Sequence, residues 1–148
     1  MKRIYAREEV CIGCRLCEIH CIVQHSRSRK IIKAFKEDAP RIVPRLFVED
    51  GGPVSFAVQC RHCADARCVA ACMTGAMHKD AKTGAVIHDA DRCIGCWMCV
   101  MVCEAGAIRR NNAQQKIASK CDLCGGEETP ACVKNCPNEA LSYEDRGH

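Results

Sequence analysis

Sixteen cysteines in 148 residues fall into four runs of four, with none left over. The runs are Cys11, Cys14, Cys17 and Cys21; Cys60, Cys63, Cys68 and Cys72; Cys93, Cys96, Cys99 and Cys103; and Cys121, Cys124, Cys132 and Cys136. Runs one and three read Cys-x2-Cys-x2-Cys-x3-Cys. Thiolates at this spacing wrap the separated iron corners of a 4Fe–4S cubane, which takes four cysteines. Sixteen thiolates therefore predict four 4Fe–4S clusters, and one-electron transfer rather than transformation of a substrate. All sixteen cysteines are predicted to ligate iron.

Other uses of cysteine fit the pattern less well. A disulfide framework belongs to an oxidising compartment. The opening residues, Met1-Lys2-Arg3-Ile4-Tyr5-Ala6-Arg7-Glu8-Glu9, carry no apolar segment of a secretory signal. Structural zinc pairs two knuckles that are a dozen or more residues apart and needs no third cysteine in the same loop. A fourfold repeat is likewise hard to explain as redox-active dithiols.

Composition bounds the fold. Only six aromatic residues occur, Tyr5, Phe35, Phe47, Phe56, Trp97 and Tyr143, so an ordinary hydrophobic core would be thin. Clusters are expected to replace it, and the metal-free chain to be largely unfolded. No run of 18 apolar residues exists, so no transmembrane helix is expected. The formal charge of +4 excludes the bound groups. Four thiolates outweigh an oxidised cluster core by about two charges per site, which takes the loaded protein to about −4. That weakens any argument for nucleic-acid binding from bulk charge.

The elements that must position the cysteines also repeat. A similar tail follows three runs: Met73-Thr74-Gly75-Ala76-Met77, Glu104-Ala105-Gly106-Ala107-Ile108 and Pro137-Asn138-Glu139-Ala140-Leu141. Short strands are expected before the runs, at residues 3–5, 54–58, 85–88 and 116–119. Hairpins are expected to pair 77–79 with 86–88 and 108–110 with 116–118, through Gly and Asn turns. A short helix is expected to lead out of each third cysteine. Strand, cluster loop, helix, hairpin and strand make a ferredoxin-like α+β pattern, twice over.

The departure is the segment between Cys21 and Cys60, which holds 38 residues. Ser26 or Ser28 is expected to cap a helix with Ile31, Ile32 and Phe35 on one side and Arg29, Lys33 and Lys36 on the other. Residues 41–49 read as an edge strand or loop between prolines. His20, His25 and His62 stand near ligands and are expected to shield clusters or hydrogen-bond locally. Lys120, Arg61 and Arg92 stand beside ligands as candidate tuning charges, and Trp97 as a shield. In two-cluster ferredoxins the fourth cysteine of one run ligates the other run's cluster. Spacing leaves two pairings open, one with two and three with four, or two with three and one with four.

Several motifs carry a family resemblance. These are Cys11-Ile12-Gly13-Cys14-Arg15-Leu16-Cys17-Glu18-Ile19-His20-Cys21, His25-Ser26, Lys33-Ala34-Phe35, Gln59-Cys60-Arg61-His62-Cys63, Cys93-Ile94-Gly95-Cys96-Trp97-Met98-Cys99 and Lys120-Cys121-Asp122-Leu123-Cys124. Over nearly its whole length the chain resembles the four-cluster ferredoxin subunits of anaerobic oxidoreductases. These include the iron–sulfur subunits of carbon monoxide dehydrogenase, formate hydrogenlyase and tungsten aldehyde oxidoreductase, with dimethyl sulfoxide reductase beta subunits as larger relatives. Likeness to the carbon monoxide dehydrogenase subunit is concentrated in the first 50 residues. Pro follows the last cysteine only in run four, at Pro137; Ile22, Met73 and Glu104 stand at the other three sites.

The resemblance implies nested modules, with module one spanning 1–40 plus 112–148 and module two spanning 41–111. It implies cluster one on Cys11, Cys14, Cys17 and Cys136, and cluster two on Cys121, Cys124, Cys132 and Cys21. Cluster three falls on Cys60, Cys63, Cys68 and Cys103, and cluster four on Cys93, Cys96, Cys99 and Cys72. It further implies a cytoplasmic electron-transfer subunit with no catalytic site of its own and no direct membrane insertion. The implied partners are a larger catalytic redox subunit and an electron-acceptor protein. The favoured catalytic partner is carbon monoxide dehydrogenase, the alternative a tungsten or molybdenum aldehyde or formate oxidoreductase. A freely diffusing polyferredoxin, a polymerising wire and a cluster-based transcriptional sensor are competing readings; the last lacks a DNA-reading element.

Like-charged sites packed in one small chain disfavour full simultaneous reduction. A potentiometric titration of the loaded protein is expected to resolve separate one-electron steps; a single unsplit four-electron wave contradicts this.

Overall fold

The computed structural model describes residues 1–38, 42–111 and 117–146. Its elements are short and lie between the cysteine loops. Strand β1 (Arg3–Ala6) precedes a 3-10 turn at Glu8–Val10 and the first cysteine loop, which feeds helix α1 (Leu16–Gln24). Helix α2 (Ile31–Lys33) widens into a π turn over Ala34–Asp38. Strands β2 (Phe47–Asp50) and β3 (Ser55–Val58) precede run two, whose third cysteine lies on helix α3 (Arg67–Ala70). Strands β4 (Met77–Lys79) and β5 (Val86–His88) lead to run three and helix α4 (Met98–Met101). Strands β6 (Arg109–Asn111) and β7 (Ile117–Ser119) lead to run four, helix α5 (Ala131–Lys134) and strand β8 (Leu141–Glu144).

The strands form two-stranded antiparallel pairs, β1 with β8, β2 with β3, β4 with β5 and β6 with β7. The β1–β8 register sets Arg3 opposite Glu144 and Ala6 opposite Leu141, joining the two ends of the described chain. Helix α1 packs on α5, and α3 packs on α4. The expected hairpins therefore form, with Met77 opposite His88 and Arg109 opposite Ser119. Three strands start one residue later than expected, at Ser55, Val86 and Arg109. Position 116 and the expected module boundaries after residue 40 and before residue 112 lie at residues outside those described.

Two positions in runs one and three explain how the chain turns around a cysteine loop. Gly13 and Gly95, each just before the second cysteine, have φ near +65° and +70°. Only glycine adopts that region without a Cβ penalty. A Cβ on Gly13 would also meet Ser55 Oγ at 3.3 Å. Arg15 and Trp97, each just after the second cysteine, are left-handed too, at φ 59° and 64°. Side chains there cost roughly 1–2 kcal/mol, and each of these residues directly precedes a helix, α1 or α4.

The segment after α1 differs from expectation. Neither serine caps α2, whose N-cap is Lys30. Instead Ser26 is buried and closes the turn that ends α1: its Oγ donates to the Val23 carbonyl at 2.7 Å and accepts the Arg29 N–H at 3.0 Å. A serine hydroxyl near a helix end competes in this way for backbone groups. The expected apolar face also does not pack. Ile32 is 80% exposed, with Ile31 and Phe35 exposed beside it, while Ala34 is fully buried. The contact is made by the smallest side chain, so the helix approaches closely along a narrow line. The edge strand expected within 41–49 starts at Phe47 and runs to Asp50.

Two groups of buried apolar residues hold the elements. One joins Ile4, Leu46, Val48, Ala57 and Leu141 to Cys17, Cys21, Cys60, Cys121 and Cys132. The other joins Ala66, Met77, Val86, Ile108 and Ala118 to Cys99. Among the described residues no helix is long and apolar enough to cross a membrane. Leu46, only 2% exposed, is among the largest fully buried side chains. Leu46→Ala is expected to destabilise the protein by roughly 2–5 kcal/mol, read as a lower urea midpoint in far-UV circular dichroism with the slope unchanged.

Candidate metal centres

Three pockets of similar size are each lined by four cysteines. The first, about 400 Å³ of empty space, is lined by Cys11, Cys14, Cys17 and Cys136 with Val10, Val48 and Leu141. The second, about 340 Å³, is lined by Cys72, Cys93, Cys96 and Cys99 with Met77, Ile94 and Trp97. The third, about 450 Å³, is lined by Cys60, Cys63, Cys68 and Cys103 with Val86, Val102 and Ile108. In each, one run supplies three cysteines and another run supplies its last. Of the remaining four cysteines, Cys132 lies close enough to Cys121, Cys21 and Cys124 to feel their charge, and also to Cys17 of the first pocket.

The short helices explain this exchange. Cys17 and Cys21 lie four residues apart on α1, yet Cys17 faces the first pocket and Cys21 neighbours Cys121 and Cys132. Cys68, Cys99 and Cys132 lie on α3, α4 and α5, and the last cysteine of each run follows its helix within one turn. Each helix thus bridges two groups.

The donor set fits iron–sulfur ligation. All sixteen cysteines are free thiols. Backbone N–H groups are aimed at sulfur: Arg45 at Cys21 (3.3 Å), His62 at Cys60 (3.4 Å), Met77 at Cys72 (3.3 Å) and Ala140 at Cys136 (3.2 Å). Such donors favour the thiolate over the thiol. Among the described residues no three His, Cys, Asp or Glu side chains converge as single-ion ligands do; the cysteines surround empty space instead.

Burial dominates the titration of the metal-free thiols. It pushes Cys17 and Cys121 up to about 12 and Cys99 up to about 11, and it raises Cys60, Cys68, Cys124 and Cys132. Cys72 goes the other way, because the Met77 N–H and the Thr74 hydroxyl outweigh its burial. Buried thiols of this kind are protonated at neutral pH without metal, so ligation releases protons and supplies the thiolate state.

The charged neighbours separate into paired and unpaired groups. His25 Nδ1 lies 2.8 Å from the Cys21 carbonyl, and its Nε2 lies 3.1 Å from Asp122 Oδ1. Burial lowers the His25 pKa, but Asp122 and Cys21 overcome it and hold the ring up to about 9. Arg45 forms an ion pair with the same carboxylate. Burial raises the Asp122 carboxyl, while His25 and Arg45 hold it well below the usual carboxylate range. His62 is 1% exposed and left-handed at φ 46°, and its Nδ1 accepts the Val86 N–H at 3.0 Å. Burial, with Lys120 and Arg3 nearby, lowers His62 to about 3, so its ring is neutral. His20 is half-buried on α1.

Arg61 and Arg92 are exposed, with Arg92 donating to the Thr74 carbonyl at 2.9 Å. Trp97 lines the second pocket, and the Arg110 guanidinium lies 5.0 Å from its ring centroid. Lys120 is buried at 3% exposure. Sequence reasoning missed the Arg45–Asp122–His25 cluster; the available signal was Asp122, a carboxylate set between two ligand cysteines.

Comparison with known proteins agrees with this chemistry. Residues 54–146 match the family described as 4Fe-4S dicluster domain. The chain is 38% identical to electron transport protein HydN of Escherichia coli (strain K12), over 97% of this chain and 87% of that one. It is 36% identical to an iron-sulfur protein of Rhodospirillum rubrum, over 96% and 81%. It is 35% identical to the thiosulfate reductase electron transfer subunit PhsB of Salmonella typhi, over 92% and 71%. Among solved structures, a chain of the active site complex BamBC of benzoyl coenzyme A reductase shares the fold, with a TM-score of 0.52 and 23% identity over 97% of this chain and 76% of that one. With its cysteine pockets and these relatives, the chain belongs to the 4Fe-4S dicluster domain family of ferredoxin-type electron-transfer subunits.

Proposed function

We propose that the chain holds four 4Fe–4S clusters and passes electrons between a larger catalytic redox subunit and an acceptor protein, with no catalytic site of its own. The observation that carries this reading is the lining of three pockets by four cysteines each, three from one run and the last from another. Clusters supply reversible one-electron transfer when bound. The chain's residues do the rest. Cys11, Cys14, Cys17 and Cys136 hold one group, and Cys121, Cys124, Cys132 and Cys21 a second. Cys60, Cys63, Cys68 and Cys103 hold a third, and Cys93, Cys96, Cys99 and Cys72 a fourth. Backbone N–H groups at Cys21, Cys60, Cys72 and Cys136 stabilise thiolate charge, and Trp97 and the apolar linings keep water from sulfur.

We also read the chain as two nested modules, 1–40 with 112–148 enclosing 41–111. Pairing of β1 with β8 and packing of α1 on α5 and of α3 on α4 support that reading. For the catalytic partner, the resemblance in the first 50 residues favours carbon monoxide dehydrogenase. A tungsten or molybdenum aldehyde or formate oxidoreductase is the second reading. That PhsB is named as the electron transfer subunit of a reductase supports a large catalytic partner in general. The cytoplasm is the proposed compartment.

Anaerobic purification from the native cell, with metal analysis, tests this. About sixteen iron per chain, with nickel on a co-purifying partner, is the expected result; tungsten or molybdenum there moves the assignment to the second reading. Iron alone with no partner favours a free polyferredoxin, and zinc in its place overturns the cluster reading. The pairing has its own test: Cys136→Ser is expected to perturb the same electron paramagnetic resonance signal as Cys11→Ser, and Cys21→Ser the same signal as Cys121→Ser. Matching signals for Cys21→Ser and Cys11→Ser would exclude the crossed pairing.

A further inference from the structure

Lys120 is buried to 3% exposure, and among the described residues no carboxylate lies within ion-pair distance of it. The nearby carboxylate of Asp122 is already shared by Arg45 and His25. The Lys120 ammonium donates to two backbone carbonyls, those of Cys121, at 2.6 Å, and Val86. Dipoles alone compensate a buried ammonium poorly. Glu37, Asp38 and Asp122 line the same cavity as Lys120 but none forms an ion pair with it; the cysteine sulfurs on either side are the other neighbouring groups that can carry negative charge.

Two of the four cysteine groups meet at this point. Cys121 belongs to one, and Val86 lines the pocket of Cys60, Cys63, Cys68 and Cys103. Cys60 and Cys121 lie in one buried group, and the two thiols are close enough to feel each other's charge. Val86 is clamped there, with its N–H on His62 Nδ1 and its carbonyl on Lys120, so the lysine is fixed between Cys121 and the pocket that Val86 lines. Arg61 and Arg92, the other cations beside ligands, are exposed and therefore screened by water.

We propose that Lys120 is the shared counter-cation of two adjoining cysteine groups, Cys60–Cys63–Cys68–Cys103 and Cys21–Cys121–Cys124–Cys132, and raises the reduction potentials of both their clusters above those they would otherwise have. This rests on the four-cluster reading above. A fixed positive charge in a low-dielectric site stabilises the added electron. One lysine then sets a pair of sites on which electrons settle, at the junction of the third pocket with the group of Cys121. Lys120 is a positioning residue: it holds charge and two carbonyls, and ligates nothing.

The test is a potentiometric titration of the intact, iron-loaded protein and two variants, followed by electron paramagnetic resonance, with iron counted in each sample. Lys120→Met removes charge and donors; Lys120→Gln removes the charge but keeps N–H donors for the two carbonyls. Both variants are expected to lower two of the four midpoints by at least tenfold in the one-electron equilibrium, about 59 mV, leaving the other two in place. If Lys120→Met loads less iron, Lys120→Gln carries the test. Unchanged midpoints in Lys120→Gln, a shift of one midpoint alone, or an equal shift of all four overturns the proposal. Wild-type protein without four titrating steps overturns the four-cluster reading instead, and this one with it.

Discussion

Everything else in this fold depends on cysteines being gathered into groups drawn from remote parts of the sequence. No secondary-structure element is long enough to stand alone. Helices α3, α4 and α5 have four residues each, well below the length at which isolated helices persist in water. Each sheet has two strands, and a lone hairpin is marginal at best. What draws these pieces together is the sharing seen in three pockets, each lined by three cysteines of one run and the last of another. Cysteines are therefore part of the core: Cys17, Cys21, Cys60, Cys121 and Cys132 pack with Ile4, Leu46 and Leu141. The family's iron–sulfur chemistry and its folding free energy are the same contacts.

That economy creates an electrostatic problem. Loaded cysteine groups bring negative charge into a small interior, which is unfavourable unless the charge is met locally. The chain meets it mostly with backbone. N–H groups from Arg45, His62, Met77 and Ala140 point at sulfur, from loops, from the left-handed His62 and from the first residue of β4. Side-chain charge is used sparingly and is mostly paired, as Arg45 and His25 are on Asp122. Lys120 departs from that pattern: among the described residues it has no ion-pair partner, and its Nζ is held by the carbonyls of Val86 and Cys121.

Much of this was legible in the sequence because the cysteine spacing is a direct record of geometry. The four runs, the helix on each third cysteine and the two hairpins all follow from short-range rules. The exchange of cysteines between runs does not, since two pairings satisfy the same spacings. The segment from 26 to 38 misled for a physical reason. Its apolar residues have helical spacing, but Ala34 makes the close contact and Ile31, Ile32 and Phe35 are left in solvent. Serine at 26 closes one helix rather than opening the next. The Asp122–Arg45–His25 cluster joins residues 77 and 97 positions apart, so no local pattern could announce it.

The exposed apolar residues complete the argument. Ile12, beside Cys11, and Ile94, beside Cys93, stand at equivalent places in runs one and three and are 63% and 67% exposed. Met98 and Met101 lie three residues apart on α4, and Met73 follows Cys72; all three are exposed. Large apolar side chains stay in water at a cost that burial elsewhere would remove. Ile12 lines the first pocket and Ile94 the second, and each of the three pockets has one exposed cysteine, Cys14, Cys96 or Cys63. Cys21, Cys121 and Cys132 are buried instead, packed with Ile4, Leu46 and Leu141. The same residue type thus serves as rim in the loops and as core around Leu141, which is why so few large apolar side chains suffice to hold the chain together.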